Sequence, residues 1–136
     1  MILVDTSVLS LLFRRRRRDL SRDELPMVYA LEELARSGLM VIIGPVRQEI
    51  LSGIVTNEQF AALQSRLTVI DDLPMDAGTF VLAAQFYNAC RAAAVAPGDI
   101  DMMICAAANE HSCEIFSSDP DFMRYASVLP IRLYQP

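Results

Sequence analysis

The sequence predicts an α/β fold: a three-layer α/β/α sandwich with a central, mostly parallel sheet of four or five strands. Short apolar segments alternate with helix-like segments along the whole chain, and each apolar segment is a continuous run. Continuous runs are typical of strands that are buried on both faces, as in parallel sheets. A chain of 136 residues with 53% hydrophobic residues is expected to form one domain, residues 1–136, with a sizeable core.

Capping and breaking residues place the elements of the first half of the chain. Ser21-x-x-Glu24 is a capping box that opens an amphipathic helix, and Gly38 ends that helix. Gly44-Pro45 closes the second strand, and Thr56 or Asn57 caps a later helix. The predicted elements are, in order, the strand Ile2–Asp5, the helices Thr6–Phe13 and Arg22–Ser37, the strand Leu39–Ile43, the helices Val46–Gly53 and Asn57–Arg66, and the strand Leu67–Ile70.

Prolines delimit the elements of the second half. Pro74 breaks the chain before a long alanine-rich helix, which Pro97-Gly98 ends, and Pro120 opens a short helix. Because proline is tolerated at sheet edges, the last strand, which starts at Pro130, is expected at an edge. The predicted elements are the helices Asp76–Val95 and Asp99–Glu110, the strand Glu114–Ser117, the helix Pro120–Tyr125 and the strand Pro130–Tyr134.

Composition argues against several classes of function. The cysteines Cys90, Cys105 and Cys113 are odd in number and form no C-x-x-C pair, which is typical of reduced thiols in a core. A zinc site would need clustered His and Cys, whereas His111 is the only histidine. The absence of a glycine-rich phosphate loop argues against nucleotide binding. No apolar run approaches the roughly 20 residues of a spanning helix, and no basic leader is present, so we expect a cytoplasmic protein.

Four acids from distant parts of the chain are predicted to meet at one edge of the sheet. Asp5 ends the first strand, Glu49 lies in the helix after the second, and Asp119 follows the fourth by two residues. Asp101 lies in the first turn of the helix that leads into the fourth strand, and such a helix starts at the carboxyl edge. Ligands of open parallel sheets bind at this carboxyl edge.

A carboxylate cluster of this kind predicts a metal site. Clustered carboxylates repel one another unless a cation neutralises them. Oxygen ligands without His or Cys select Mg²⁺, with Mn²⁺ as an alternative, over zinc or copper. One or two such ions activate water and stabilise in-line displacement at phosphorus, so the pattern predicts phosphodiester hydrolysis.

Each acid also has a structural interpretation. Asp119-Pro120 is an ordinary start of a helix, Asp101 suits the first turn of one, and Glu49 suits an exposed helical position. Asp5 is the hardest to explain in this way, because it directly follows Ile-Leu-Val at the sheet edge. The topology that brings all four acids together therefore favours the metal site.

Four segments, in order, resemble the motifs of PIN domains. Val4-Asp5-Thr6-Ser7 resembles the segment in which an aspartate ends the first strand, and Pro45–Gly53 resembles the segment that carries a glutamate. Asp101–Ala106 resembles the D-x-x-I-A-A element, and Ser117–Phe122 resembles the T-x-D-x-D-F element, with Ser in place of the commoner Thr. Order, spacing and length are similar to those of VapC-type toxins of toxin–antitoxin modules, over essentially the whole chain.

The resemblance implies an endoribonuclease that uses Mg²⁺ or Mn²⁺, forms a homodimer and is inhibited by a cognate antitoxin protein. It assigns metal binding and catalysis to Asp5, Glu49, Asp101 and Asp119. Asp121 would be an accessory acid or simply a helix residue, and Thr6 or Ser7 would hydrogen-bond within the site. The RNA target stays open.

The strongest positive feature is the run Arg14, Arg15, Arg16, Arg17 and Arg18, in a chain with a formal net charge of −5. Five adjacent arginines on a helix would point in all directions, so some must be solvated or paired. As a functional feature, the run is a phosphate-contacting rim beside the acidic site, or a surface for an acidic segment of the antitoxin. As a structural feature, it is a charged helix end that the helix dipole favours.

Two other functions stay open. A phosphatase or related hydrolase would use Asp5 as a nucleophile, but it would need a lysine to stabilise phosphate, and the chain has none. A non-catalytic PIN-like module would keep the fold to bind RNA or protein. Divalent-metal binding separates these possibilities, because a degenerate module should bind little metal.

Overall fold

A five-stranded, fully parallel sheet forms the centre of the protein, which a computed structural model describes over residues 1–136. The strands are β1 (Ile2–Val4), β2 (Met40–Ile42), β3 (Asp71–Asp72), β4 (Glu114–Phe116) and β5 (Arg132–Leu133). Their order across the sheet is β3-β2-β1-β4-β5. The predicted α/β/α sandwich is confirmed, and every strand pair is parallel.

Seven α-helices connect the strands and cover the sheet. They are α1 (Thr6–Phe13), α2 (Leu25–Arg36), α3 (Gly44–Leu51), α4 (Asn57–Leu67), α5 (Ala77–Ala92), α6 (Asp99–Glu110) and α7 (Asp121–Ala126). A 3₁₀ turn, Arg17–Asp19, separates α1 from α2. None of these helices combines the length and the apolar character that crossing a membrane would require.

The core lies on both sides of the central strands. All residues of β1 and β2 are buried, because their runs of aliphatic side chains are covered by helices on either face. The predicted core thiols are confirmed as free and buried at Cys90, Cys105 and Cys113. The most completely buried helix is α6, whose small and apolar residues let it lie close to the sheet and to α5.

The carboxyl ends of β1 and β4 lie where the order of connection reverses. From β1 the chain builds β2 and β3 on one side of the sheet, and later β4 and β5 on the other. Such a reversal opens a crevice at the carboxyl edge, where ligands of parallel α/β sheets bind. The N–H of Asp5, just after β1, donates to the carbonyl of Phe116 at the end of β4 over 3.0 Å. Residues that follow these two strands therefore share the crevice.

The predicted third strand is misplaced. Leu67 is the last residue of α4, and the chain pairs with β2 only at Asp71 and Asp72. The helix extends this far because Leu63 and Leu67, four residues apart, form its buried stripe. The side chain of Arg47 then holds the turn by donating to the carbonyls of Leu67 (3.1 Å) and Ile70 (2.6 Å).

The second helix begins at Leu25 rather than at the predicted Arg22. Ser21 and Glu24 do make the two reciprocal bonds of a capping box, at 2.8 and 3.2 Å. Pro26 explains the later start, because its ring clashes with a helical carbonyl four residues earlier and it has no N–H to donate. Gly38, at φ +69°, ends the helix region as predicted.

The arginine run begins where the predicted helix Thr6–Phe13 ends, so its five residues do not share one α-helix. The first helix ends at Phe13, Arg14 is its C-terminal cap, and the chain then turns through Arg17–Asp19. Like charges on successive helical turns repel one another, and an irregular path separates them. The arginines therefore spread over a bend between α1 and α2.

Candidate metal centre

Asp5 is the buried anchor of the acidic crevice, with only 7% of its surface exposed. Its Oδ1 accepts the N–H of Thr6 over 2.8 Å, and its Oδ2 accepts the hydroxyls of Ser7 and Ser117, both over 2.8 Å. Burial raises the pKa of this carboxyl above its ordinary value, although these hydrogen bonds act in the opposite direction. Oδ1 accepts only the one hydrogen bond from Thr6, so it keeps a lone pair that could bind a cation.

Two hydroxyls join the start of α1 to the loop after β4. Ser117 donates to Asp5 and accepts the N–H of Asp119 over 3.0 Å. Ser7 donates to the same Asp5 oxygen and accepts the N–H of Ser118 over 3.0 Å. Each hydroxyl has one proton, and both protons point to Asp5. The two sides of the crevice are thus fixed to one carboxylate.

Three further acids, Asp101, Asp119 and Asp121, lie together beside Asp5. One carboxylate oxygen from each lies within 4.8 Å of the others, and all three side chains are half-buried. Asp101 comes from the first turn of α6, Asp119 from the loop after β4, and Asp121 from the first turn of α7. The fold therefore brings together acids that are up to 20 residues apart in the sequence.

Asp101 has the most perturbed pKa of the four acids. Burial, followed by the charges of Asp5, Asp119 and Asp121, raises the pKa of Asp101 to about 6. A hydrogen bond from the Tyr125 hydroxyl to Asp101 Oδ2, 2.9 Å long, opposes this rise. Burial also raises the pKa of Tyr125, so its hydroxyl keeps its proton and remains a donor at neutral pH.

Asp119 and Asp121 differ in the protein groups that already bind their carboxylates. Asp119 Oδ1 accepts the N–H of Asp121 over 2.9 Å, which is the predicted structural role of an acid before Pro120. Asp121 Oδ1 pairs with the guanidinium of Arg124. Asp121 therefore has a cation of its own, whereas the structure shows no ion pair for Asp5, Asp101 or Asp119.

The donor set of the crevice fits a hard divalent cation. Two ligands on opposite sides of Mg²⁺ lie about 4.2 Å apart, so small side-chain shifts would bring the three clustered oxygens onto one ion. The Thr6 hydroxyl, next to Asp5, is buried and has no hydrogen-bond partner. Because this hydroxyl is closed off from solvent, the fit of a cation rests on the carboxylates.

Glu49 is not brought into this group. It lies on α3, which begins at the same carboxyl edge directly after β2, but its side chain is exposed. The cluster of close carboxylate oxygens contains Asp101, Asp119 and Asp121; Asp5 lies outside it, and so does Glu49. Its predicted role as a ligand therefore stays a prediction.

The arginine run is only partly engaged. Arg17 pairs with Glu32 and lies 5.3 Å from the centre of the Tyr29 ring, and Arg15 pairs with Glu24 over 3.4 Å. Arg14, Arg16 and Arg18 form no ion pair. Part of the run therefore holds the bend against α2, and the rest offers unpaired charge.

Sequence reasoning did not identify Ser117 or Tyr125 as site residues. Ser117 stands two residues before Asp119 in a segment already singled out, so the motif itself could have indicated it. Tyr125 lies in a short helix and reaches Asp101 across 24 residues of sequence. No local pattern indicates that contact.

Known proteins share the sequence pattern and the fold of this chain. The family model described as "PIN domain" matches residues 2–128. A search of curated proteins finds no match. PIN domains are generally nucleases and usually use divalent metals.

Several solved structures share the fold. FitAcB from Neisseria gonorrhoeae has a TM-score of 0.76 at 20% identity, covering 100% of this chain and 98% of that one. VapBC2 from Rickettsia felis, bound to a DNA fragment from its promoter, has a TM-score of 0.74 at 16% identity, covering 98% of each chain. FitAB bound to the IR36 DNA fragment has a TM-score of 0.75 at 19% identity, covering 98% of this chain and 94% of that one. With its acidic crevice and a family model that spans nearly all of it, the chain belongs to the PIN domain family.

Proposed function

We propose that this protein is a metal-dependent endoribonuclease and the toxin of a VapBC-type toxin–antitoxin module. The observation that carries the proposal is the cluster of Asp101, Asp119 and Asp121 beside the buried Asp5, at the switch point of the sheet. Carboxylates held this close call for a cation, and phosphodiester hydrolysis is the chemistry that such a site supports.

Asp5, Asp101 and Asp119 would hold Mg²⁺ or Mn²⁺, with Glu49 as a further candidate ligand. When bound, the ion would lower the pKa of water and neutralise charge that develops at phosphorus. Ser7 and Ser117 fix the carboxylate of Asp5, and Tyr125 binds one oxygen of Asp101 and so orients the other towards the crevice.

Proton transfer and substrate contact fall to other groups of the chain. The attacking water would have to give its proton to a carboxylate of the crevice that is not itself bound to the ion. The Thr6 hydroxyl could donate to a phosphate oxygen only after a local shift, because it is closed off from solvent in this structure.

The proposal implies two protein partners, an antitoxin and a second copy of this chain. The most similar structures described above include VapBC and FitAB proteins, which supports an antitoxin as the partner of this chain. A homodimer is supported by the exposed Phe80 and Val81 on α5. Phe80 lines an apolar cavity of about 340 Å³, together with Tyr87, Met102 and Met103 among others. Light scattering of the Val81→Glu variant tests this, since a dimer through α5 should then become a monomer.

The test of the proposed activity is cleavage of total RNA by purified protein with Mg²⁺, with Mn²⁺ and with EDTA. We expect discrete fragments that need metal and disappear in Asp5→Asn and Asp101→Asn. Asp71→Asn is the matched control, because Asp71 is an exposed acid on β3 outside the cluster. Unfolding curves for each variant show whether the fold survives.

Retained cleavage in Asp5→Asn and Asp101→Asn would refute the assigned site. No cleavage by the parent under any condition, once a co-purified antitoxin has been removed, would favour the non-catalytic binding module. Cleavage of free phosphate monoesters instead of RNA would favour the phosphatase.

A further inference from the structure

A cleft without any hydrophobic lining lies at the far end of α1. Ser10, Arg14, Arg15, Arg16 and Asp19 line it, and its volume is about 420 Å³. Three of its four charged residues are arginines. Arg14 and Arg16 form no ion pair, and Arg15 has only a long contact of 3.4 Å to Glu24. The cleft therefore presents positive charge that the protein itself does not neutralise.

The first helix connects this cleft to the acidic crevice. Thr6, Ser10 and Arg14 follow one another at intervals of four residues, so they lie on the same side of α1. Thr6 borders Asp5, and eight residues of helix place Arg14 about 12 Å further along the axis. The same side of α1 thus leads from the acids to the arginines.

The position of Arg14 also relates the cleft to α3. Its guanidinium lies 3.8 Å from where a Cβ would stand on Gly53, just after the end of that helix. Glu49 lies on the same helix, which starts at the acidic edge of the sheet. The arginine cleft and the acidic crevice are consequently separated by the length of α1 and bordered by the same neighbouring helix.

We infer that this cleft binds the phosphodiester backbone of the RNA strand whose scissile phosphate lies at the acidic crevice. The inference rests on the proposed function and adds the path of the substrate along α1. Arginine binds phosphate oxygens through paired N–H groups, and a groove that tracks the backbone of a single strand is typically lined by such charges. The cleft itself contains no apolar anchor of the kind that protein interfaces use, although an adjoining groove beyond Arg14 is lined in part by Phe13 and Ile54.

The positive charge of the cleft also explains how a chain with a formal net charge of −5 can bind RNA. Acids in the crevice repel phosphates until a cation binds, and a nuclease therefore needs positive charge beside the site. Arg14, Arg15 and Arg16 supply it at the distance of a few nucleotides. Asp19 is the one acid in the cleft and leaves it with a net positive charge.

The test measures binding of fluorescein-labelled oligouridine by anisotropy, over a range of NaCl concentrations and in EDTA so that no cleavage occurs. The test variant carries Arg14→Gln and Arg16→Gln. The control variant carries Arg36→Gln and Arg91→Gln, which remove two exposed arginines from α2 and α5. A third variant, with Arg14→Lys and Arg16→Lys, keeps the charge.

We expect the test variant to bind roughly 10- to 30-fold more weakly near 0.1 M salt, because two phosphate contacts are lost at a slope of about 0.7 each. The plot of log affinity against log salt should therefore become shallower by about 1.4. The control and the lysine variant should keep the slope of the parent. Equal affinity and slope in the test and control variants would overturn the inference and leave the arginines to a protein partner.

The result of this binding experiment can be distinguished from the result of the cleavage experiment that tests the proposed function. If the protein binds oligouridine through Arg14 and Arg16 but cleaves no RNA with any metal, the cleft stands and the nuclease proposal fails. If it cleaves RNA while binding is indifferent to these arginines, the nuclease stands and the cleft is refuted.

Discussion

At the scale of single residues, Asp101 links the charge of the site to stability. Its pKa rises from an ordinary value of 3.8 to about 6, chiefly through burial. Because the folded protein then holds this proton more tightly than the unfolded chain, the free energy of unfolding falls as the pH rises from about 4 to about 6. Above about pH 6, Asp101 of the metal-free protein is ionised, and this charge destabilises the folded state.

We expect Asp101→Asn to raise the free energy of unfolding of the metal-free protein at pH 7. The full pKa shift corresponds to about 3 kcal/mol, and solvent screening at this half-buried position reduces the expected gain to about 1–2 kcal/mol. Urea unfolding in EDTA measures it, with Asp71→Asn as control. The gain should shrink towards pH 4, where the parent is protonated; an equal gain at both pH values would contradict the electrostatic cause.

Tyr125 is expected to act as a positioning residue for Asp101. Its hydroxyl is the donor that stabilises the charged form, so Tyr125→Phe should raise the pKa of Asp101 further. Metal-dependent stabilisation should then set in at a higher pH than in the parent. Thermal unfolding with Mn²⁺ across a pH series measures the shift, and Tyr134→Phe is the control because no hydrogen bond of its hydroxyl is seen. An unmoved pH profile would reduce Tyr125 to a packing residue.

The sequence predicted the acids of the site better than it predicted the residues that hydrogen-bond to them. Asp5, Asp101 and Asp119 could be placed at the carboxyl edge because strand ends can be read from apolar runs. Tyr125 could not be assigned, because a hydroxyl gains its role only from the group that it meets in space, whereas Ser117 lies in a motif that could have indicated it. Asp121 was predicted to be an accessory acid or simply a helix residue; it lies at the start of α7 within the cluster, and its pairing with Arg124 was not foreseen.

At the scale of elements, the region after α4 shows where periodicity is ambiguous. Leu67–Ile70 has the composition of a strand, and a short apolar run cannot by itself be distinguished from the end of a helix. The buried pair Leu63 and Leu67 decides for the helix, and Arg47 then organises the turn into β3. Arg47 also binds both carboxylate oxygens of Asp72, over 2.9 to 3.2 Å.

We expect Arg47→Met to lower the free energy of unfolding by about 1–3 kcal/mol, because it leaves the carbonyls of Leu67 and Ile70 without their donor. Arg36→Met removes an exposed ion pair with Glu33 and should cost under about 1 kcal/mol. Urea unfolding of both variants makes the comparison. Equal losses would show that β3 is held by its pairing with β2 alone.

At the scale of the whole molecule, the fold class was predictable and the strand order was not. Continuous apolar runs between helices indicate a parallel sheet whichever strands are neighbours. Nothing in the sequence places β1 between β2 and β4, and this order decides which acids meet. Asp5 and Asp119 follow adjacent strands, whereas Glu49 follows β2 on the other side of β1. The sequence therefore predicted that the acids lie at one edge of the sheet more securely than it predicted that they form one cluster.

Metal binding should be visible in the stability of the whole chain. At a Mn²⁺ concentration ten times the dissociation constant, a bound ion stabilises the folded state by about 1.4 kcal/mol, which raises Tm by roughly 3–5 °C for a chain of this size. Asp101→Asn should start more stable than the parent in EDTA and respond less to Mn²⁺, so the two melting temperatures should converge as metal is added. Asp71→Asn should follow the parent.

These opposite effects of one substitution separate a site that awaits a cation from a merely acidic surface. A surface effect would stabilise the Asp101→Asn and Asp71→Asn variants alike and would leave their response to Mn²⁺ the same. If Asp101→Asn and the parent gain the same Tm with Mn²⁺, the ion binds elsewhere. Convergence of the two would instead tie the electrostatic cost at Asp101 to the ion that offsets it.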